Sequence, residues 1–429
     1  MTPAQDDPHY KKHVTGLGDM REVVTSHDVY SSNGIKLLSA GARINSAMHE
    51  RIISHKLNVP LEQCLTVGDP VSPACLAECA QGILDTRPLL KRMQHALPEK
   101  HSLIKVLGSV QLNAPLAFKL TVARDKMEEL FYHSVETALI CAFLGYRAGL
   151  DTHQLTQLTT AGVFHDLGEL HIDPALLDRK RALNTDERKH FFAHPLTVFL
   201  MLKEFPVLYH PTISTAVLEH HERLDGSGYP RGATQENLGR LGRLLAVAEV
   251  VASMYRSGED AELSRIEAVL KLNMRHQLDA GAIGHILAIL EPGCGGVAAR
   301  IDSLEKLHNT LRQMAEHFSA WDKDYQPQLK ACSGNKRLAF LSERINMLKS
   351  SLEDTGFDFE HIDTIAETLD GGDDEALELQ SLAQEFVWKI KNIDHELRRR
   401  WPMFEQTQND AGDNLVHSWM KRTRQLVSA

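Results

Sequence analysis

At 429 residues the chain is long enough for two or three domains, each with its own core. Its 43% hydrophobic and 24% charged composition is that of an ordinary globular protein, with no apolar run near the roughly 20 residues that a membrane span needs. A net charge of −10 and an aromatic fraction of 6% argue against a partner that is a polymeric nucleic acid, so an anionic ligand must meet a local positive feature, such as a metal cluster. The polar start, with Asp6, Asp7 and Pro8, does not read as a secretory signal, and the six cysteines have no regular spacing. Reduced thiols and a cytoplasmic location follow as expectations.

Residues 1–70 read as a small strand-turn-helix (α+β) module. Asp28–Tyr30 and Ile35–Ser39 are predicted strands around a Ser32-Asn33-Gly34 turn, and Ser46–Leu57 a helix with Met48, Ile52 and Ile53 on one stripe. Asp69, Pro70 and Pro73 mark a linker. Residues 76–298 are strongly helical by periodicity: Phe118, Val122, Met127, Leu130 and Phe131 approximate one face, continued by Val135, Leu139, Ile140 and Phe143. Further helices are predicted over Asp186–Phe192, Ile213–His221 and Leu241–Met254, with breaks at Asp173–Pro174 and Gly226–Pro230. Residues 299–429 form a charged helical region, with Leu304, Leu307, Leu311 and Met314 at helical spacing, a glycine-acid break at Asp370–Asp374 and a basic stretch at His395–Trp401. The fold class is mainly α.

The histidines and carboxylates that stand out are Glu129, His133, His165, Asp166, His194, His220, His221 and Glu249. Glu129 and His133, four apart on a predicted helix, project from one face. The adjacent pairs His165–Asp166 and His220–His221 can serve two metals only at a helix end, and Pro195 marks His194 as the start of a helix. Hydrolysis of a phosphodiester needs charge neutralised on phosphate oxygens and a nucleophile raised at neutral pH, which two cations about 3.5–4 Å apart supply together. Imidazoles with carboxylates suit iron, manganese or zinc, and the scarcity of thiols argues against a structural zinc site. His101, His153 and His190 read as solvated or capping residues.

"HD" at His165–Asp166 and "HHERLDGSGYP" at His220–Pro230 resemble the two signatures of the HD-GYP phosphohydrolases, over about residues 125–290. The second signature is complete: His220, His221, Glu222, Asp225, Gly226, Gly228, Tyr229 and Pro230 are all present. The resemblance implies an all-helical catalytic domain with a di- or trinuclear centre, usually iron or manganese, that opens cyclic di-GMP to the linear dinucleotide and often on to GMP. It implies His133, His165, Asp166, His194, His220 and His221 as metal ligands. Asp166 would be the bridge and, with His165, the catalytic pair. Glu129 would be the extra carboxylate of trinuclear members. Asp225, Gly226, Gly228, Tyr229 and Pro230 would form the loop beside the substrate, with Tyr229 and Pro230 packing that loop or meeting a partner protein.

Three departures bear on activity. "HDLGE" puts Glu169 where the family has a lysine expected to contact phosphate. "VAE" puts Glu249 where the last ligand is an aspartate. The segment after Glu249 lacks the family's "RPYR" arginines and leaves Arg256 as the nearby cation. Three readings follow: an active cyclic dinucleotide phosphodiesterase; a catalytically weak protein that binds nucleotide or protein partners in signalling; and an HD phosphohydrolase acting on another cyclic dinucleotide or nucleotide. The C-terminal helices are expected to serve a partner, a homodimer, or only packing.

Overall fold

Turn residues and short apolar runs give way after residue 72 to helices, as the hydrophobic period changes from 2 to 3.6. The computed structural model describes residues 8–178, 181, 183–255, 263–274, 276–290, 304–355, 357, 374–401 and 410–428. The protein is mainly α, as expected, and forms two units: residues 1–259 with 284–289, and residues 260–283 with 290–429.

In the first unit, helix α1 (Pro8–Met20) precedes two short antiparallel pairs. Strand β1 (Val23–Thr25) pairs with β4 (Leu65–Val67), and β2 (Val29–Tyr30) with β3 (Lys36–Leu38). The β2–β3 turn is the expected one, with Gly34 at φ +79°, a region open to glycine because it lacks Cβ. The helix predicted over Ser46–Leu57 is cut short to a 3₁₀ turn (Ser46–Met48) and α2 (His49–Ile53). Asn45 gives no side-chain cap. The backbone at Lys56 and Asn58 is drawn into hydrogen bonds with Ser32 and Tyr30 of the hairpin. A further 3₁₀ turn, Leu61–Gln63, leads into β4.

The expected linker ends as a helix start. Ser72 accepts from the Cys75 N–H, and Pro73 opens α3 (Pro73–Thr86). Then come α4 (Pro88–His95), α5 (Leu103–Leu107), α6 (Ala114–Lys126), α7 (Glu128–Arg147) and α8 (Thr152–Phe164). The apolar face read across residues 118–131 is two helices, broken at Met127 (φ −141°, ψ 63°). α7 is buried on nearly every side from Leu130 to Gly145, which makes it the central helix of the unit. α8 lies so close to it that a Cβ on Gly162 would come within 2.8 Å of the Ala138 Cα. After α8 follow a five-residue 3₁₀ turn (Leu167–His171), α9 (Thr185–Phe191), α10 (His194–Lys203), α11 (Pro211–Glu219) and α12 (Arg240–Tyr255). α12 packs on α7 and α11, and α11 on α8 and α10.

The remaining described helices are α13 (Leu263–Asn273), α14 (Ala280–Leu287), α15 (Leu304–Ala320), α16 (Lys336–Asp354), α17 (Asp374–Arg400) and α18 (Ala411–Ser428). In the second unit Leu311, Met314, Phe318, Trp321, Leu341, Ile345, Phe386, Ile390 and Trp419 form one core. Of its buried charged groups, Arg344 pairs with Glu396 at 3.2 Å, and Asp413 with the partly buried Arg337 at 3.0 Å. The basic stretch at 395–401 is largely neutralised on its own helix: Arg398 pairs with Asp394, and Arg400 with Glu396. The expected break at residues 370–373 lies outside the described residues. No helix among the described residues is long and apolar enough to cross a membrane.

One buried histidine makes this second core pH-sensitive. His317 is 2% exposed, and its Nε2 accepts from the Trp419 indole N–H at 3.1 Å. Burial, with Arg422 nearby, pushes its pKa down to about 4. The unfolded chain takes up a proton near the ordinary value of 6.5, so between 6.5 and about 4 the unfolded state binds more protons. Stability is therefore full above that window and falls as pH drops through it, by on the order of 3 kcal/mol. Thermal unfolding of the full chain across this window is expected to show a shallower pH slope for His317→Gln, which keeps an acceptor for Trp419 and has no proton to gain. Equal slopes would remove His317 as the cause.

Candidate metal centre

Seven of the eight expected ligands come together from five helices. His133 lies in the middle of α7, and His165 caps the C-terminus of α8 with Asp166 next to it. His194 is the first residue of α10, His220 caps α11 and is followed by His221, and Glu249 lies on α12. The clustered donors form two groups: His133, His165, Asp166 and Glu249, and Asp166, His194, His220 and His221. Asp166 belongs to both.

Three imidazoles are aimed in the same way. His165 Nδ1 lies 2.8 Å from the Gly162 carbonyl, His194 Nδ1 2.9 Å from that of Phe191, and His220 Nδ1 2.6 Å from that of Val217. A carbonyl only accepts, so each Nδ1 donates its N–H and each Nε2 is turned inward. For His165 and His220 the acceptors are carbonyls in the last turn of a helix, which have no partner within the helix. Placing histidine at the helix end therefore satisfies the backbone and orients the ligand together.

The inward atoms are close. His133 and His165 Nε2 are 3.2 Å apart, and Glu249 Oε2 is 2.8 Å from the first and 3.0 Å from the second. His194 and His220 Nε2 are 3.4 Å apart. Asp166 turns Oδ2 to the first group, 3.4 Å from His165 and 3.5 Å from His133, and Oδ1 to the second, 3.2 Å from His194 and 3.4 Å from His220. Two donors held at ~2.1 Å by one ion lie roughly 3 Å apart, so these spacings fit a shared cation in each group. Lone pairs and carboxylate oxygens converging in a buried volume repel one another unless a proton or cation lies between them. With no sulfur in the set, the donors suit iron, manganese or zinc.

The charges agree with this fit. Burial alone would raise the Asp166 carboxyl, but His165, His194 and His220 hold it well below the usual range. Glu249 is likewise held down against burial by His133 and His165. Burial favours neutral His165, yet Asp166 and Glu249 carry it well above the ordinary histidine value. A proton and a metal ion compete for that same Nε2. Burial and neighbouring imidazoles push His220 and His221 down, which keeps them neutral.

Other expected residues fall differently. Glu129, in the first turn of α7, is exposed and belongs to neither group, because one turn of helix carries it away from His133 to the solvent. Glu169 is 3% exposed within the 3₁₀ turn, and its charge acts on His194 and Tyr229. Asp225 folds its own loop, accepting from Ser227 N at 2.9 Å and Oγ at 2.6 Å. Gly226 has φ +73°, and a Cβ on Gly228 would sit 2.4 Å from the Glu222 Cα and His221 carbonyl. Tyr229 is stacked between Phe192 at 3.9 Å and His221 at 4.6 Å, which makes it a packing group of the loop. Pro230 is half-buried beside it. Arg256 lies outside the described residues.

Sequence reasoning missed the groups that brace this loop. The Glu222 carboxylate accepts from the backbone N–H of Arg231 at 2.8 Å and of Ala233 at 2.9 Å, and Glu219 accepts from Arg231 Nη2 and Gly239 N, both at 2.9 Å. Glu222 stood within the motif, but only the return of the chain past residue 230 reveals its partners. Gly168 was missed as well: a Cβ there would lie 2.3 Å from the His194 carbonyl oxygen.

The family model described as "HD domain" matches residues 117–280. The 3'3'-cGAMP-specific phosphodiesterase 1 of Vibrio cholerae is 27% identical over 194 residues, 45% of this chain and 44% of that protein. A cyclic di-GMP phosphodiesterase of Pseudomonas aeruginosa is 28% identical over 178 residues, 40% of this chain and 43% of that protein. A third, from Borreliella burgdorferi, is 26% identical over 151 residues, 32% of this chain and 37% of that protein. The chain thus spans less than half the length of these curated relatives.

Gly168→Ala tests the close approach. A new methyl against a backbone carbonyl forces His194 to shift, and Mn(II) affinity measured by calorimetry is expected to fall at least about tenfold. Gly82→Ala, where nothing lies within 4 Å, is expected to leave Mn(II) binding unchanged. Wild-type affinity in Gly168→Ala would mean that this contact does not set the ligand.

Proposed function

We propose that the chain, whose residues 117–280 match the family model described as HD domain, is a metal-dependent phosphodiesterase of the HD-GYP type that hydrolyses cyclic di-GMP to the linear dinucleotide pGpG, GMP, or both. The observation that carries this reading is the sharing of Asp166: one buried carboxylate offers an oxygen to each of two donor groups. His133, His165 and Glu249 would hold one ion, His194, His220 and His221 the other, with Asp166 between them; iron or manganese suits these donors. Such a pair of ions supplies Lewis acidity toward the phosphate and acidifies water at neutral pH.

The chain's own residues would then do three things. Asp166 holds the two donor groups at a fixed separation. The three Nδ1–H bonds to carbonyls keep Nε2 directed inward. Tyr229, stacked on His221 and Phe192, covers one side of the site and limits water. Hydrolysis adds a water oxygen to phosphorus and releases the ribose hydroxyl, with the water proton passing to the leaving oxygen.

Glu169 favours keeping a second reading. A buried carboxylate that acts on His194 puts negative charge where an anionic substrate would approach. A catalytically weak protein that binds nucleotide or a protein partner, and an enzyme for another cyclic dinucleotide or nucleotide, are the alternatives. The cytoplasmic setting, the division at 1–70, 76–298 and 299–429, and a partner or homodimer role for the last region belong to the same proposal.

Protein loaded with iron or manganese is expected to convert cyclic di-GMP to linear products, and Asp166→Ala to abolish conversion, followed by chromatography. Retained nucleotide binding without turnover favours the second reading, and turnover of other phosphoesters alone favours the third. Glu169→Lys is expected to lower the Kd for cyclic di-GMP about tenfold, since replacing an anion with a cation near a phosphate changes the sign of their interaction. An unchanged or raised Kd would remove residue 169 from the phosphate's vicinity.

A further inference from the structure

A second buried charge cluster lies apart from the ligands. Lys119 on α6 is 1% exposed, and its ammonium meets Glu62 Oε1 at 2.8 Å, His171 Nε2 at 3.2 Å and the face of Tyr10 at 3.6 Å from the ring centroid. Tyr10 stacks on the His171 ring, with centroids 4.7 Å apart. An ammonium only donates, so His171 Nε2 accepts here. Tyr10 comes from α1 and Glu62 from the 3₁₀ turn before β4, both within residues 1–70. Lys119 and His171 come from the helical part. The cluster therefore ties the N-terminal segments to the end of the Leu167–His171 turn.

That turn begins one residue after Asp166. Glu169 N donates to the Asp166 carbonyl at 2.8 Å, and Ile172 N donates to that of Glu169 at 3.0 Å. Gly168 abuts the His194 backbone on one side. A 3₁₀ turn of this length, bonded i to i+3, spans about 10 Å. Its far end is gripped by the Lys119 cluster and its near end carries the carboxylate shared by both donor groups.

We propose that the cluster of Lys119, Glu62, Tyr10 and His171 is a positioning device for the metal centre, through which residues 1–70 set the placement of Asp166. The inference rests on reading the Asp166 groups as a metal centre. The role differs from simple stabilisation. Apolar side chains of similar volume can replace a buried ion pair without loss of fold, but they impose no fixed direction on their neighbours. Charged partners do, because ammonium, carboxylate and imidazole must meet at hydrogen-bonding distance and angle.

The test uses the full chain with Mn(II) as the probe, measuring both the thermal midpoint and Mn(II) affinity. In the double variant Glu62→Leu/Lys119→Met the midpoint is expected to stay near that of the wild type while Mn(II) binds roughly tenfold more weakly, a loss typical of residues beyond the ligands themselves. Wild-type Mn(II) affinity in that variant would overturn the inference and leave the metal-centre reading standing. Should the double variant not fold, His171→Phe keeps the ring stacked on Tyr10 and removes the nitrogen that Lys119 contacts. It is expected to bind Mn(II) about fivefold more weakly, and wild-type affinity there would equally overturn the role. Failure of the wild-type chain to bind Mn(II) would overturn the metal centre and this inference together.

Discussion

A carboxylate buried between two sets of imidazoles constrains much of the first unit. Asp166 is 2% exposed and has His165 and His133 on one side and His194 and His220 on the other. An ionised carboxylate removed from water is costly unless positive charge or strong donors meet it. Four of the facing atoms are imidazole Nε2, and three of those carry their proton on the opposite nitrogen. The arrangement is therefore electrostatically incomplete without protons or cations in the middle. Five helices, α7, α8, α10, α11 and α12, which pack on one another, each bring a donor to that point.

Helix ends do most of the aiming. His165 and His220 stand where a helix runs out of internal partners for its carbonyls, and each closes one such carbonyl with Nδ1–H. Only His133 and Glu249 project from helix interiors. This explains how adjacent donors, unsuited to a common helix face, converge at residues 165–166 and 220–221: the chain leaves the helix between them and turns the second side chain elsewhere. Close approach completes the geometry. Gly162 lets α8 lie on α7, and Gly168 lets the next turn lie on the start of α10.

Much of this was legible in the residues, and the limits of legibility have physical causes. The fold class followed from periodicity, and the histidines and acids singled out at motif spacing are, Glu129 apart, ones that the fold brings together. Glu129 failed as a member because four-residue spacing fixes a face but not the depth of a side chain along the helix, and its turn lies at the solvent. The Ser46–Leu57 helix failed because apolar spacing does not report competition from the β2–β3 hairpin for the same backbone groups. Glu222 and Glu219 were unreadable as loop anchors since, the Arg231 guanidinium apart, their partners are backbone N–H groups up to 20 residues away, which carry no sequence signature. Lys119 gave no signal either. A lysine in an apolar stretch is ordinarily read as exposed, and its carboxylate partner lies in a different module.

The two buried charge clusters differ in a way that bears on their roles. In the Lys119 cluster the chain supplies both signs, so ammonium and carboxylate satisfy each other without any added ion. In the Asp166 cluster the donors are carboxylates and imidazoles, whose positive charge depends on protonation. The first cluster can hold backbone by itself, whereas the second, under the proposed reading, takes up cationic charge from outside the chain. Glu169 lies buried within the same turn near His194; under the proposed reading its carboxylate would favour a cation and oppose an anionic ligand at once. Under the proposed reading, the balance between those two effects, more than the donor set itself, would govern how strongly such a centre acts on a phosphate.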